Sequence, residues 1–135
     1  MSEYNHARQR LASQAVDVTN LKVLLTNGYT FDATETTMTA ALAAEVSGNG
    51  WPSGGPVIQN VSAGIINTDE AEITGDDVSV TATGGEIGPA TGLVVYDATN
   101  GWPLYHDSYS QTAGDGTPFL IRWLDGQLFV LAKPA

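Results

Sequence analysis

The sequence predicts an all-β fold: an antiparallel β-sandwich of about seven short strands with one short helix. Charged residues make up only 15% of the 135 residues, below the quarter that is usual in globular domains. Glycine is abundant, with 15 residues, and short apolar runs alternate with turn signals along most of the chain. An apolar content of 42% suffices for one core, and the length allows one domain.

The first half of the chain contains one clear strand and the helix. Leu21–Thr26 (LKVLLT) is an apolar run that ends at the turn signal Asn27-Gly28. The stretch from Thr34 to Val46 predicts the helix, because apolar residues recur there at every fourth position: Met38, Leu42 and Val46. A loop rich in glycine and proline follows, over residues 47–56.

Apolar residues then recur at every second position, which is typical of half-buried strands. Residues 57–66 form the first such run, and Val78, Val80 and Ala82 form the second. Thr91–Asp97 (TGLVVYD) is continuously apolar at its centre, as expected of a central strand.

The last strands are joined by two hairpin signals, Asn100-Gly101 and Asp125-Gly126. Trp102–Ser108 contains Pro103, which cannot donate to a ladder and predicts a strand start, an edge or a bulge. The runs on either side of Asp125-Gly126 are residues 117–124 and 127–131. In the first of these, three apolar side chains are expected on one face: Phe119, Ile121 and Trp123.

Residues 1–20 differ from the rest, and we treat them as an N-terminal arm preceding a β-sandwich domain at 21–135. The arm has few apolar residues, of which Leu11 and Ala15 are spaced as one face of a short helix. Two interpretations remain open: a loose terminal tail, or an arm that orders against a partner. Tyr4, Arg8 and Arg10 are of the types enriched at interfaces.

Charge and composition argue against several classes of function. Fifteen acidic residues against five basic ones give a net charge of −10, which disfavours binding to nucleic acid or to anionic membranes. There is no cysteine, so disulfides, thiolate metal sites and cysteine nucleophiles are excluded. No signal peptide or membrane-spanning run is evident, so we expect synthesis and folding in a cytoplasm.

Three local patterns suggest chemistry but are better explained without it, so no catalytic, cofactor or metal residue is predicted. Adjacent strand residues such as His106-Asp107-Ser108 point to opposite faces and cannot form a triad. The Gly48–Gly55 loop follows a helix and lacks the lysine of a phosphate-binding loop. The acidic residues do not have calcium-loop spacing and fit a solvated turn better: Asp69, Glu70, Glu72, Asp76 and Asp77.

The aromatic residues remain as candidates for recognition. Trp51 lies in the glycine-proline loop and Trp102 follows a turn, where a core would not obviously enclose them. They could anchor a protein interface, stack on sugar rings, or simply cover the ends of the sandwich. The predicted interface residues are Tyr4, Arg8, Arg10, Leu11, Trp51 and Trp102.

The order of these motifs resembles that of a family of small bacteriophage structural proteins, the head decoration or cement proteins. Five segments between Leu21 and Lys133 carry the resemblance: LKVLLTNGYTF, EVSGNGWPSGG, DDVSVTATGG, GLVVYDATNG and DGTPFLIRWLDGQLFVLAK. The most distinctive pieces are Glu45–Gly55 and Leu93–Asp97. The arm and the segment Trp102–Ser110 depart from the family pattern.

The resemblance implies a non-enzymatic virion protein with a β-sandwich fold on the outer surface of the phage head. Its implied partner is the major capsid protein, and self-association as a dimer or trimer would suit symmetric positions. Other interpretations are a tail, neck or fibre component, or a sugar-binding module for host recognition.

Overall fold

The computed structural model describes residues 2–13, 15–67, 70–123 and 127–132. Within these ranges the chain forms ten strands, two α-helices and one 3-10 helix, Val18–Asn20. The α-helices are α1 (Asn5–Ala12) and α2 (Thr39–Ala43). The strands are β1 (Ser2–Glu3), β2 (Leu21–Thr26), β3 (Glu45–Val46), β4 (Ser62–Asn67), β5 (Glu70–Thr74), β6 (Val78–Thr81), β7 (Ile87–Asp97), β8 (Trp102–Ala113), β9 (Pro118–Ile121) and β10 (Gln127–Ala132).

All strand pairs are antiparallel, and they form three sheets. The largest has the order β1-β8-β7-β2-β3, the second has β10-β5-β4, and the third pairs β6 with β9. The predicted all-β fold class is confirmed. Eight strands have four residues or more, close to the seven expected, and the other two have two residues each.

The central strands of the large sheet are buried on both faces. Leu24 pairs with Val94 and Val94 with His106, so these three side chains lie on one face. Neighbouring residues such as Leu25 and Leu93 point to the opposite face and are equally buried. A strand buried on both faces must be apolar throughout, which explains the runs LKVLLT and LVVY.

The long hairpin of β7 and β8 connects the large sheet to the two-stranded sheet. Its turn contains Asn100-Gly101, as predicted, and Gly101 has the positive φ of 75° that this turn requires. The register shifts where Tyr96 pairs with Pro103, so Pro103 lies at a strand start beside a bulge, also as predicted. Farther along β8, Tyr109 packs against Phe119 of β9 and donates a hydrogen bond to the Leu120 carbonyl oxygen.

The two-stranded sheet confirms the alternating patterns. Val78 and Ala82 are buried while Ser79, Thr81 and Thr83 are exposed. In the predicted run over residues 117–124, three alternating side chains are buried: Phe119, Ile121 and Trp123. This agrees with the shared face predicted for them.

Two local predictions were wrong. The helix expected over 34–46 is limited to Thr39–Ala43, since Val46 pairs with Leu25 in the sheet. Leu42, expected on its buried face, is 45% exposed. The strands on either side of Asp125-Gly126 do not pair with each other, because β9 pairs with β6 and β10 with β5. Residues 124–126 themselves lie outside the described residues.

Candidate interaction surface

The arm packs onto its own chain through an aromatic cluster. Tyr4 is fully buried, its amide donates to the Leu104 carbonyl oxygen at 3.0 Å, and its hydroxyl lies 2.6 Å from that of Tyr29. The ring of Phe31 meets Tyr4 edge-on at 4.9 Å and stacks on His106 at 5.5 Å. Burial, followed by the hydrogen bond with Tyr29, raises the pKa of Tyr4. The arm therefore joins an aromatic cluster in which the Phe31 ring contacts both Tyr4 and His106.

Helix α1 holds a second set of contacts, to the beginning of β8. The Arg10 guanidinium carbon lies 3.7 Å from the centre of the Trp102 ring, a cation–π contact. Arg10 also donates from Nε to His6 Nδ1 at 2.7 Å, and His6 Nε2 is 2.7 Å from the Pro103 carbonyl oxygen. A carbonyl oxygen only accepts, so His6 carries its proton on Nε2 and accepts at Nδ1.

A buried carboxylate fixes the connector between the arm and the sheet. Asp97 is fully buried at the end of β7 and accepts from the amide of Asp17 at 3.0 Å. It also accepts from the Thr99 amide at 2.9 Å, the Asn100 amide at 3.2 Å and Asn100 Nδ2 at 2.7 Å. Four donors around one carboxylate account for its burial, because a buried charge must be hydrogen-bonded. We call this group the Asp97 cluster.

The glycine-proline loop buries Trp51 in the core. The Trp51 ring is 2% exposed and meets Phe119 edge-on at 5.2 Å. Gly55 has a φ of 85°, and a Cβ atom there would lie 1.8 Å from the Val23 carbonyl oxygen. Only glycine allows this close approach of the loop to β2. The loop is a structural element that closes the core.

His106, Asp107 and Ser108 follow one another along β8. They pair with Val94, Leu93 and Gly92 in succession, so His106 and Asp107 point to opposite faces of the sheet. The ring of His106 packs against aromatic side chains, and burial, the largest effect, lowers its pKa.

In the acidic cluster between Asp69 and Asp77, two side chains that the structure describes accept hydrogen bonds from the rest of the chain. Asp76 accepts from Asn60 Nδ2 at 2.6 Å, and Asp77 accepts from the Trp123 amide at 3.0 Å. The side chains of Glu70 and Glu72, and Asp69 as a whole, lie outside the described residues. Within the described part of the chain, no three histidine, aspartate or glutamate side chains come close enough to hold a metal ion.

A groove of about 240 Å³ lies beside the 3-10 helix and is lined by residues without titratable side chains: Val18, Thr19 and residues 57–61. Neither of the described α-helices is long enough to cross a bilayer.

The predicted interface residues thus fall into two groups. Tyr4 and Trp51 are buried within the chain, so neither side chain is available to a partner in this conformation. Arg10, Leu11 and Trp102 are partly exposed and lie around α1, and we call them the arm surface. The side chain of Arg8 lies outside the described residues.

Searches for relatives identify no family. No protein-family model, no curated protein and no solved structure matches this chain.

Sequence reasoning missed three residues of this region. Ala7 is fully buried, and the spacing of Tyr4, Ala7 and Leu11 is the signal that indicates an apolar face of α1. Asp97 could have been suspected from an aspartate that ends an apolar strand just before a turn. His6 gave no local signal, because its partner Pro103 is distant in the sequence.

Proposed function

We propose that this protein is a non-catalytic structural component of a bacteriophage particle, a decoration protein that binds the assembled head. The observation that carries the proposal is the arm surface, where Arg10 stacks on the partly exposed ring of Trp102. Arginine and tryptophan dominate the binding energy of protein interfaces. The motif order from Leu21 to Lys133, which resembles that of head decoration proteins, supports the same function.

The distribution of charge supports an exterior position. Arg8 and Arg10 are two of the five basic residues, while the residues after the arm contain thirteen of the fifteen acidic ones. An acidic body is repelled by packaged DNA, and a basic, aromatic patch on it provides a distinct site for a protein partner. The partner we propose is the major capsid protein, with the decoration protein bound as a monomer, dimer or trimer according to the local symmetry.

Binding of this kind stabilises the shell by mass action. A domain that contacts two or three capsid subunits binds the assembled state and not the separated subunits, so it lowers the free energy of the assembled state alone. Many copies on one shell add their contributions.

The test is binding of purified protein to phage heads that lack it. We expect co-sedimentation with expanded heads and a higher disruption temperature for the decorated heads. Arg10→Ala should weaken binding at least about tenfold, since interface arginines of this kind contribute about 2 kcal/mol. Arg122→Ala, which removes an equal charge from an exposed position after β9, is the matched control and should bind like the wild type.

The outcomes separate the alternatives. Binding to tails, necks or fibres but not to heads would replace the decoration assignment by that of another virion component. A sugar-binding module is disfavoured because Trp51 is buried and Arg10 covers one face of Trp102. Specific binding on a glycan array, lost in Trp102→Ala, would favour it nevertheless. No binding to any virion part would refute the proposal.

A further inference from the structure

We propose that the arm is held to the sheet by a proton-sensitive latch, in which His6 must be uncharged for α1 to remain docked on β8. The latch consists of His6, Arg10, Trp102 and Pro103. It concerns the isolated chain and does not rest on the proposed function.

The geometry of His6 is satisfied only by the neutral ring. Nε2 donates its proton to the Pro103 carbonyl oxygen, and Nδ1 accepts the proton of Arg10 Nε, each at 2.7 Å. A proton on Nδ1 would face the N–H of Arg10, which can only donate. Protonation therefore replaces one hydrogen bond by a repulsion between two donors that both carry positive charge.

The described contacts of the His6 ring are with Arg10 and with the Pro103 carbonyl oxygen. On α1 the group that faces His6 is the positive Arg10, whose charge lowers the pKa of the ring. From β8 the facing groups are the Pro103 carbonyl and, beneath Arg10, the ring of Trp102, and neither titrates. Burial is the largest effect on His6 and also lowers its pKa, while the hydrogen bond to Pro103 opposes both.

The second histidine lies in the same contact between arm and sheet. The chain has two histidines, and His106 pairs with Ser2 of β1 and stacks on Phe31, which packs against Tyr4. Burial is the largest effect on the pKa of His106 and lowers it, the neighbouring Asp107 raises it, and the positive amino terminus lowers it. Tyr29, which meets the ring edge-on, donates its hydroxyl to Glu35. His106 therefore reaches the arm through the strand pairing with Ser2 and through Phe31, and the variants described below separate its contribution from that of His6.

The direction of the pH effect follows from these lowered pKa values. A released arm exposes His6 with its ordinary pKa of 6.5, whereas the docked arm keeps His6 neutral to lower pH. The released state therefore takes up protons first as the pH falls below about 6.5, and docking weakens until the pH passes the lowered pKa of the docked state. Above about pH 7 the latch is fully closed.

Amide hydrogen exchange on the full chain tests the latch. Between pH 7.5 and 5.5, after correction for the intrinsic pH dependence of exchange, residues 5–12 should lose protection by up to about tenfold, the limit set by one proton that binds the released arm with a pKa of 6.5. The amides of β2 serve as the internal reference and should stay protected. Equal protection of α1 at both pH values would refute the latch.

Two variants show which group is responsible. His6→Gln can donate to Pro103 and accept from Arg10 but takes up no proton, so its arm should stay docked at pH 5.5. His106→Gln leaves the latch intact and should retain most of the pH dependence. If the two variants behave in the opposite way, His106 controls the arm and the proposal for His6 is wrong.

Nitrogen NMR of the histidine rings provides a readout that does not depend on a variant folding. In the wild type at pH 7.5 we expect one histidine with its proton on Nε2 and a strongly hydrogen-bonded Nδ1. A His6 ring that is positively charged at pH 7.5, or that carries its proton on Nδ1, would overturn the proposal.

Discussion

Replacement of Asp97 by alanine removes the acceptor at the centre of the Asp97 cluster. Hydrogen bonds to a charged group contribute about 1.5–3 kcal/mol each, and four donors lose their partner. Thr99 and Asn100 are exposed, so water can accept the hydrogen bonds that these two residues donate to Asp97 in the wild type. The expected loss in the free energy of unfolding is about 3 kcal/mol, at the lower end for removing one partner from a buried charged network. For a chain of this length, the melting temperature should fall by about 10 °C.

Urea unfolding followed by circular dichroism measures this loss, and Glu86→Ala is the matched control. Glu86 is exposed, so its replacement removes an equal charge without opening the core and should change stability by less than about 0.5 kcal/mol. Asp97→Asn keeps the shape and one acceptor oxygen but presents an NH₂ group to donors, so an intermediate loss is expected. The amide of Asp17 should exchange faster in Asp97→Ala. A loss below about 1 kcal/mol would refute the reasoning.

Other predictions concern the loop that closes the core. Trp51→Ala should lower the free energy of unfolding by about 3–4 kcal/mol, because removal of the buried ring beside Phe119 leaves a cavity. A loss under about 1 kcal/mol would contradict the burial of Trp51. Gly55→Ala should be less stable than Gly28→Ala by at least about 2 kcal/mol. Both glycines have a positive φ, but only at Gly55 does the added Cβ meet a backbone atom, the Val23 carbonyl oxygen. Equal losses in the two variants would contradict the close approach.

Local patterns sufficed where burial and turn chemistry act over a few residues. β2 begins and ends as predicted, because an apolar run buried on both faces between a polar start and Asn27-Gly28 leaves little choice of boundary. The β7–β8 hairpin was predicted from Asn100-Gly101 because its turn requires a positive φ, which glycine adopts readily, at Gly101.

Long-range pairing was beyond such patterns. The signal at Asp125-Gly126 favoured a hairpin, yet β9 and β10 find partners about forty to sixty residues earlier in the chain, in β6 and β5. A sheet edge offered by a distant segment competes with a local turn, and only the assembled core decides between them.

The prediction of interface residues failed where burial depends on contacts between distant segments. Aromatic type alone suggested Trp51 and Tyr4 as surface anchors, but both are buried, because Phe119 and Phe31 arrive from segments that the sequence could not place beside them. Arg10 and Trp102 were named separately as interface candidates from residue type, and their stacking could not be predicted because it depends on the docking of α1 on β8.

The register of β1 has a practical consequence for anyone who produces this protein. Ser2 pairs with His106 and Glu3 with Tyr105, and β8 continues beyond this pairing to Ala113. In the described part of the chain, that outer edge of β8 carries no other strand. An extended segment of a fused tag or of another protein can hydrogen-bond along such an open edge as an additional strand.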